Sequence, residues 1–267
     1  MIDSYMIIIC LLTALIHFIG ICSLSARIVG TRTKRLASST SIFNIIILFS
    51  QFANTLQAPL LTKTIETSIL NHEEPNSFIF RMIILSSTLG AGLGAISIPT
   101  IHRFMERGVN SLHKNNSVFR VFLKSMKLST LIHLRKSIKI PVKNNLTRLN
   151  RFSDINIGII ALNVVVYGFI TVSVLSCIYA GYLNPVLRTT SLSMSGIANG
   201  IGAVGMLMFI EPYNAVLTDK VIDGSISEAY FRRHLTFVII ARFLGTVLGQ
   251  FLFIPIAHVI AELSALL

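Results

Sequence analysis

Four amide side chains lie close together in the second long apolar segment of this chain: Asn44, Gln51, Asn54 and Gln57. On a helix, Asn44, Gln51 and Thr55 fall within about 40° of one another, with Asn54 beside them. Hydrogen bonds between helices, worth about 0.6 to 2 kcal/mol each, explain one or two such residues. Four amides within 14 residues favour the wall of a hydrated cavity, although hydrogen bonding between helices stays the alternative.

Charged residues form a second group of candidates, because four of them fall inside or near the ends of apolar segments. Each costs at least about 2.5 kcal/mol in a membrane unless it is paired or hydrated. Glu211 and Arg242 are expected at similar depth, which predicts an ion pair with either a structural or a gating role. By the same argument we expect Arg81 near His258 or Glu262, with snorkelling of these side chains to the interface as the alternative.

These residues belong to six apolar segments that are each long enough to cross a bilayer. A hydrocarbon core about 30 Å thick needs roughly 20 helical residues, and only helices satisfy their own backbone hydrogen bonds there without closing into a barrel. A composition of 53% hydrophobic and 13% charged residues, with mean hydropathy +0.73, agrees. The predicted fold class is all-α, a polytopic helical bundle in a single domain over residues 1–267. The predicted spans are 4–24, 42–62, 79–101, 155–183, 191–217 and 235–262.

The basic residues predict the orientation of this bundle. Nineteen of the 23 Lys and Arg residues fall in connections on one side of the predicted membrane, twelve of them in the basic connection 102–153. That side is expected to be cytoplasmic and both termini extracellular. Residues 117–127 predict an amphipathic helix on the anionic membrane surface. The net charge of +12 is thus mainly a topology signal, and no nucleic-acid partner is indicated.

Small residues predict how the helices pack. Three GxxxG pairs allow close helix contact within a subunit or between copies in a homo-oligomer. They are Gly90 with Gly94, Gly196 with Gly200, and Gly245 with Gly249. The third and sixth spans both contain an Arg, then GxxxG, then a Pro, although at different spacings. Two halves of three spans necessarily have opposite topology, so an inverted repeat is a further hypothesis.

Several kinds of chemistry have no support in the sequence. The chain contains neither a Walker glycine loop nor an HExxH motif, and its three cysteines lie in apolar segments without metal-like spacing. We therefore expect no cofactor, no metal site and no enzyme activity. Asp219, Asp223, Glu228 and the neighbouring basic residues form only a loose cluster, which leaves a membrane enzyme as the minority alternative. His17 stands alone in the first span, where hydrogen-bonded packing is a simpler role than proton relay.

The stretch Ser25–Arg35, the dipeptide Phe43-Asn44 and the run Gln57–Leu61 resemble the Amj family of bacterial lipid II flippases, the alternate to the MurJ-type flippases. Glu211-Pro212 is similar in kind but less specific. The resemblance covers most of the chain and is strongest in the first two spans. It implies a protein of the bacterial cell membrane that moves undecaprenyl-pyrophosphate-linked disaccharide pentapeptide, lipid II, from the inner to the outer leaflet for peptidoglycan synthesis.

For such a substrate, Arg offers planar donors that remain charged and match a pyrophosphate. The residues expected to capture it are Arg27, Arg32, Arg35 and Arg242. Neutral donors and acceptors for sugar and peptide groups would come from Asn44, Gln51, Asn54 and Gln57, while the prenyl tail stays among the membrane lipids. The alternatives are a transporter of another polyprenyl phosphate or anionic solute, and a membrane enzyme that acts on a lipid phosphate.

Overall fold

The computed structural model describes residues 4–115 and 154–267, and the regular secondary structure in these two ranges is entirely helical. The α-helices are α1 (Ser4–Cys22), α2 (Ser25–Thr33), α3 (Leu36–Leu70), α4 (Ser77–Asn115), α5 (Ile157–Leu183), α6 (Arg188–Ser193), α7 (Ser195–Gly205), α8 (Glu211–Ile222) and α9 (Glu228–Leu266). A 3₁₀ turn, Pro185–Leu187, precedes α6, and a π-helical turn, Met206–Ile210, joins α7 to α8.

Within the described ranges, six segments are long and apolar enough to cross a membrane. They are Tyr5–Thr33, Leu36–Leu70, Ser77–His113, Ile157–Leu183, Pro185–Ile222 and Glu228–Leu266. Each overlaps one predicted span, so the prediction of an all-α, polytopic membrane protein is confirmed. Most of these segments are longer than predicted, because hydropathy marks the hydrocarbon region while the helices continue into polar residues beyond it. The amphipathic helix predicted over 117–127 lies outside the described residues.

The ends of the bundle differ in charge. We call the end that contains α2, the start of α3 and the turn between α8 and α9 the basic end. Two helices begin there with side-chain caps that satisfy free backbone donors. The Asn156 side chain accepts a hydrogen bond from the Ile159 amide, and the Ser227 hydroxyl accepts one from the Tyr230 amide, both at 3.2 Å.

Glycine sets the closest helix contacts, because a backbone can approach only where no Cβ intervenes. A Cβ at Gly90 of α4 would lie 2.1 Å from the carbonyl oxygen of Ala14 in α1. In the second half of the chain, a Cβ at Gly245 of α9 would lie 2.8 Å from the carbonyl oxygen of Val164 in α5. The third span thus packs closely on the first, and the sixth on the fourth.

These contacts also decide which GxxxG faces are free for another copy of the chain. The faces of Gly90 with Gly94 and of Gly245 with Gly249 are occupied by helices of the same subunit. Within the described residues, nothing lies within 4 Å of a Cβ placed at Gly196 or Gly200. The face of Gly196 with Gly200 is thus left uncovered by the other described helices.

The end opposite the basic end is filled by a large apolar cluster. Its centre is an aromatic group in which the Phe80 ring stacks on Phe253 at 5.3 Å and meets Tyr179 edge-on at 5.1 Å between ring centroids. Leu61 and Ile65 of α3 are buried in the same cluster. Aromatic pairs of this kind add about 0.5–1.5 kcal/mol each to the area that they bury. This end of the bundle is closed by packing.

The glycine contact between α1 and α4 gives a direct test of the packing. We expect Gly90→Ala to lower the thermal midpoint and the membrane abundance of the protein, because its Cβ meets backbone that cannot yield, at a cost of about 1–3 kcal/mol. Gly196→Ala is the matched control and is expected to leave both unchanged or slightly raised. A Gly90→Ala protein that unfolds at the wild-type temperature would contradict this contact.

Candidate functional site

Breaks in two spans bring charged residues together at the basic end. The first span is interrupted after Cys22, where the Ser23 hydroxyl donates to the Gly20 carbonyl at 2.7 Å. The chain then continues as α2, which is buried on one side and carries Arg27. Because α2 is a separate helix, the side chain of Arg27 can point in a different direction from the one that a continuous first span would give it.

The break in the fifth span positions Glu211. The residue follows directly on the π-helical turn Met206–Ile210 and is the first residue of α8. Pro212 is next and has no amide hydrogen, so a regular helix across this point would lack one backbone hydrogen bond. π-helical turns inside helices are frequent at functional sites. Here the turn changes the helical register just before Glu211, while the backbone stays helical on both sides of it.

Arg27, Glu211 and Arg242 form one charge cluster. Arg27 Nη2 makes an ion pair with Glu211 Oε2, and Arg242 Nη2 lies 3.6 Å from Glu211 Oε1. Arg27 Nη1 also donates to the Thr218 hydroxyl at 3.5 Å. The structure thus brings together the Glu211 and Arg242 side chains that the sequence paired, and adds Arg27. Two guanidinium groups and one carboxylate leave the cluster with a net positive charge.

Arg242 is the most deeply placed member of this charge cluster, with 8% of its side chain exposed. Its Nη1 donates to the Gly20 carbonyl at 3.1 Å, and its guanidinium lies 5.4 Å from the centroid of the Tyr167 ring. Its Nε is buried and has no hydrogen-bond partner among the described residues. A buried charged group with an unused donor is costly unless a further partner binds. This geometry fits an anion at the cluster.

A cavity of about 230 Å³ lies beside the charge cluster and extends toward the middle of the bundle. We call it the central cavity; α1, α3, α5 and α7 line it. Three amides of the predicted stripe line it, namely Gln51, Asn54 and Gln57, together with Asn199 of α7. Its lining also includes Gly20 and Tyr167, the two residues that Arg242 contacts.

A second cavity, of about 120 Å³, lies on the other side of the charge cluster, at the basic end between α2, α3 and α8. We call it the small cavity. Arg27, Thr40, Thr218 and Asp219 supply its hydrogen-bonding and charged groups, and Phe43 lies in its wall. Since Arg27 belongs to the small cavity and Arg242 touches the wall of the central cavity, the charge cluster separates the two.

The far side of the central cavity is closed. Leu61 and Ile178, which line the cavity, also belong to the apolar cluster of the opposite end. Beyond them, Arg188 at the start of α6 lies 4.0 Å from Glu66 of α3. Both of these side chains are nearly half exposed, so their ion pair adds little stability. It shows where α3 comes close to the fifth span.

Three of the predicted substrate-binding residues lie apart from the cavities or pair elsewhere. Arg32 lies 3.4 Å from Glu228 and 3.7 Å from Glu106, and Arg35 donates to Asn110 at 2.9 Å. Both therefore tie α2 and its junction with α3 to neighbouring helices. Asn44 is exposed and is not among the residues that line either cavity.

The structure does not bring Arg81 to His258 or Glu262, so that expectation is wrong. Arg81 Nη1 donates to the Gln250 carbonyl at 3.1 Å, and the Gln250 amide donates to the Arg81 carbonyl at 2.9 Å. His258 and Glu262 are exposed. The two hydrogen bonds place Arg81 level with Gln250, which precedes His258 by roughly 12 Å along α9. The expected depth is therefore wrong. The role of Arg81 is to join two helices.

Sequence reasoning did not select Asn199 or Tyr167, and gave His17 only a packing role. A single amide or phenol in a span has no pattern around it, so only the convergence of α1, α5 and α7 on one cavity identifies these residues. The ring of His17 meets Tyr167 edge-on at 5.7 Å between centroids. Among the described residues, no group of three or more His, Cys, Asp or Glu side chains could hold a metal ion.

The ion pair between Glu211 and Arg242 can be tested by a double-mutant cycle. We expect Glu211→Gln to lower the free energy of unfolding in mixed micelles, since the buried Arg242 and the partly buried Arg27 then lack a counter-charge. The double variant Glu211→Gln/Arg242→Gln should recover part of that loss, with a coupling above about 0.5 kcal/mol. Additive losses would show that the two groups do not interact. A stable but inactive double variant would assign the pair to binding or gating, and recovered activity would make it structural.

Comparison with known proteins identifies the family. The family model described as Amj, alternate to MurJ, matches residues 12–264. The protein named lipid II flippase Amj from Bacillus subtilis (strain 168) is 31% identical over 255 residues, which covers 94% of this chain and 93% of that protein. No solved structure matches. The match includes every helix that contributes to the charge cluster and to the two cavities, and the chain therefore belongs to the Amj family.

Proposed function

We propose that this protein is a lipid II flippase, which moves undecaprenyl-pyrophosphate-linked disaccharide pentapeptide across the cytoplasmic membrane without changing it chemically. The observation that carries the proposal is the convergence of Arg27 and Arg242 on Glu211, beside a cavity that has amide and hydroxyl groups but no charged residue in its lining, inside a six-span bundle. The name of the relative from Bacillus subtilis supports the same substrate.

The pyrophosphate is the part of this substrate that hydrocarbon excludes most strongly, because its charges need partners throughout the crossing. Arg27 and Arg242 offer two planar sets of donors, and charge-assisted bonds from Arg to phosphate are among the strongest in proteins. Glu211 holds these two groups in place in the absence of substrate. The arriving pyrophosphate takes over the donors of Arg27 and Arg242 and displaces the carboxylate. Arg32 and Arg35 contribute positive potential at the same end.

The basic end is the cytoplasmic end in this proposal, with both termini extracellular, because the positive-inside rule places loops rich in Lys and Arg there. The small cavity then faces the inner leaflet, where the substrate is loaded. The opposite end is closed by the apolar cluster around Phe80 and Phe253. The described conformation therefore corresponds to a state that receives substrate from inside.

The alternative functions for this site differ in the molecule that the protein releases. A transporter of another polyprenyl phosphate or an anionic solute would use the same arginines with a different preference. A membrane enzyme that acts on a lipid phosphate would return an altered lipid, and it would need a reacting group at the cluster. Proteoliposomes that contain labelled lipid II distinguish these cases, because both the side on which the label appears and its chemical identity can be measured.

We expect Arg27→Ala and Arg242→Ala to lower lipid II transport in these proteoliposomes by about tenfold or more, since each removes charge-assisted hydrogen bonds worth about 1.5–3 kcal/mol. Arg27→Lys and Arg242→Lys should also be impaired, because a lysine keeps the charge but not the planar set of donors. Runs with and without an imposed membrane potential or pH gradient identify the driving force at the same time.

Arg188→Ala is the matched control for these arginine variants, as its side chain is half exposed at the opposite end of the bundle. It is expected to transport at the wild-type rate. Wild-type transport by both Arg27→Ala and Arg242→Ala would overturn the capture of pyrophosphate by these residues. A wild-type protein that converts lipid II into another compound would favour the enzyme instead.

The orientation has its own test in whole cells. In a variant without Cys10, Cys22 and Cys177, we expect Glu74→Cys to react with a membrane-impermeant thiol reagent added from outside, and Ser225→Cys to react only after the cells are opened. Both positions lie in exposed turns at opposite ends of the bundle. Labelling of Ser225→Cys in intact cells would reverse the proposed topology.

A further inference from the structure

The central cavity differs in chemistry from the charge cluster beside it. Its lining contains no Lys, Arg, Asp or Glu. Its polar groups are hydroxyls, amides and one imidazole, supplied by Thr13, His17, Ser50, Gln51, Asn54, Gln57, Tyr167, Thr171 and Asn199. Groups of this kind both donate and accept hydrogen bonds without carrying a fixed charge. Such a lining suits a neutral ligand that is rich in hydroxyl and amide groups.

His17 provides a second, independent indication of a ligand. Only 8% of the residue is exposed, yet it lines the cavity, and its Nδ1 has no hydrogen-bond partner among the described residues. Its ring is held edge-on against Tyr167. Buried polar atoms in native proteins nearly always have a partner, so each exception calls for an explanation. A ligand hydroxyl or amide in the cavity would satisfy this nitrogen.

The position of the cavity indicates which part of a substrate binds in it. Arg242 donates to the carbonyl of Gly20 and stacks against Tyr167, and both of these residues also line the central cavity. A group bonded directly to an anion at Arg242 would therefore lie next to the central cavity. In a polyprenyl-diphosphate-linked glycan, that group is the first sugar ring.

We infer that the central cavity is a subsite for the sugar that is attached to the diphosphate, with His17, Asn54 and Asn199 as residues that determine specificity. The inference rests on the proposed function and names the part of the substrate that the cavity recognises. The volume of about 230 Å³ is below the range of about 300–1,000 Å³ typical of pockets that enclose a whole drug-sized ligand. The cavity thus accepts one part of the headgroup.

A peptide is a poorer occupant than a sugar. The stem peptide of such a lipid ends in a carboxylate, and a carboxylate in this lining would have no cationic partner at close range other than Arg242, which the diphosphate occupies. Burying an unpaired charge costs several kcal/mol. A hexosamine, by contrast, presents hydroxyls and an acetamido group that match amide and imidazole partners one for one.

The test compares three lipids in proteoliposomes: undecaprenyl diphosphate without a sugar, the same lipid with one N-acetylated amino sugar, and lipid II. We expect His17→Ala, Asn54→Ala and Asn199→Ala to slow transport of both sugar-bearing lipids by about three- to tenfold, as the loss of hydrogen bonds predicts. Transport of the sugar-free lipid should keep its wild-type rate. Asn199→Ala is expected to fold normally, because this side chain is exposed on α7. A transport defect in this variant therefore cannot be attributed to misfolding.

His258→Ala is the matched control, since this histidine is exposed near the end of α9 and does not line the cavity. It is expected to move all three lipids at wild-type rates. If the three cavity variants leave the preference for sugar-bearing lipids unchanged, or slow all three lipids equally, the sugar subsite is overturned. If the wild-type protein moves none of the lipids, the proposed function fails instead.

Discussion

The placement of Glu211 between Arg27 and Arg242 is the interaction on which the architecture of the site depends. Two guanidinium groups at this depth repel each other, and a shared carboxylate is what allows both to stay. Two irregular features of the nearby helices position the side chains that make this contact. The break after Cys22 frees α2 to bring Arg27 inward, and the π-helical turn before Glu211 sets the start of α8.

The same cluster divides the interior into two chemically different spaces. On the basic side, Arg27 and Asp219 bring charge to the small cavity. On the other side, the central cavity has polar groups but no charged residue in its lining. A diphosphate headgroup has the same division, with its charge next to the prenyl chain and neutral sugars beyond. The order of the two chemistries along the bundle matches their order along the substrate.

How far the sequence predicts this arrangement depends on whether a feature is set by hydropathy or by packing. Hydropathy marks the spans and the approximate depth of their residues, so the approach of Glu211 to Arg242 is predictable. The shift of one helix along another and the breaks within helices follow from packing, which is why Arg81 meets Gln250 instead of a later residue of α9 and why the sequence does not link Arg27 to Glu211. Asn44 belongs to the amide stripe by angle, but the cavity begins farther along α3, and Asn44 is left exposed.

The six spans differ in how much of their surface is buried inside the bundle. The first span is fixed to the third through Gly90, and the fourth to the sixth through Gly245. The second and fifth spans are much less buried, at 11% and 22% of their apolar windows against 39–50% for the other four. The first, second and fifth spans all contribute residues to both cavities. A substrate whose prenyl chain stays in lipid needs an opening at the side of the bundle. Because the second and fifth spans have the least buried surface, moving them apart loses the least apolar contact.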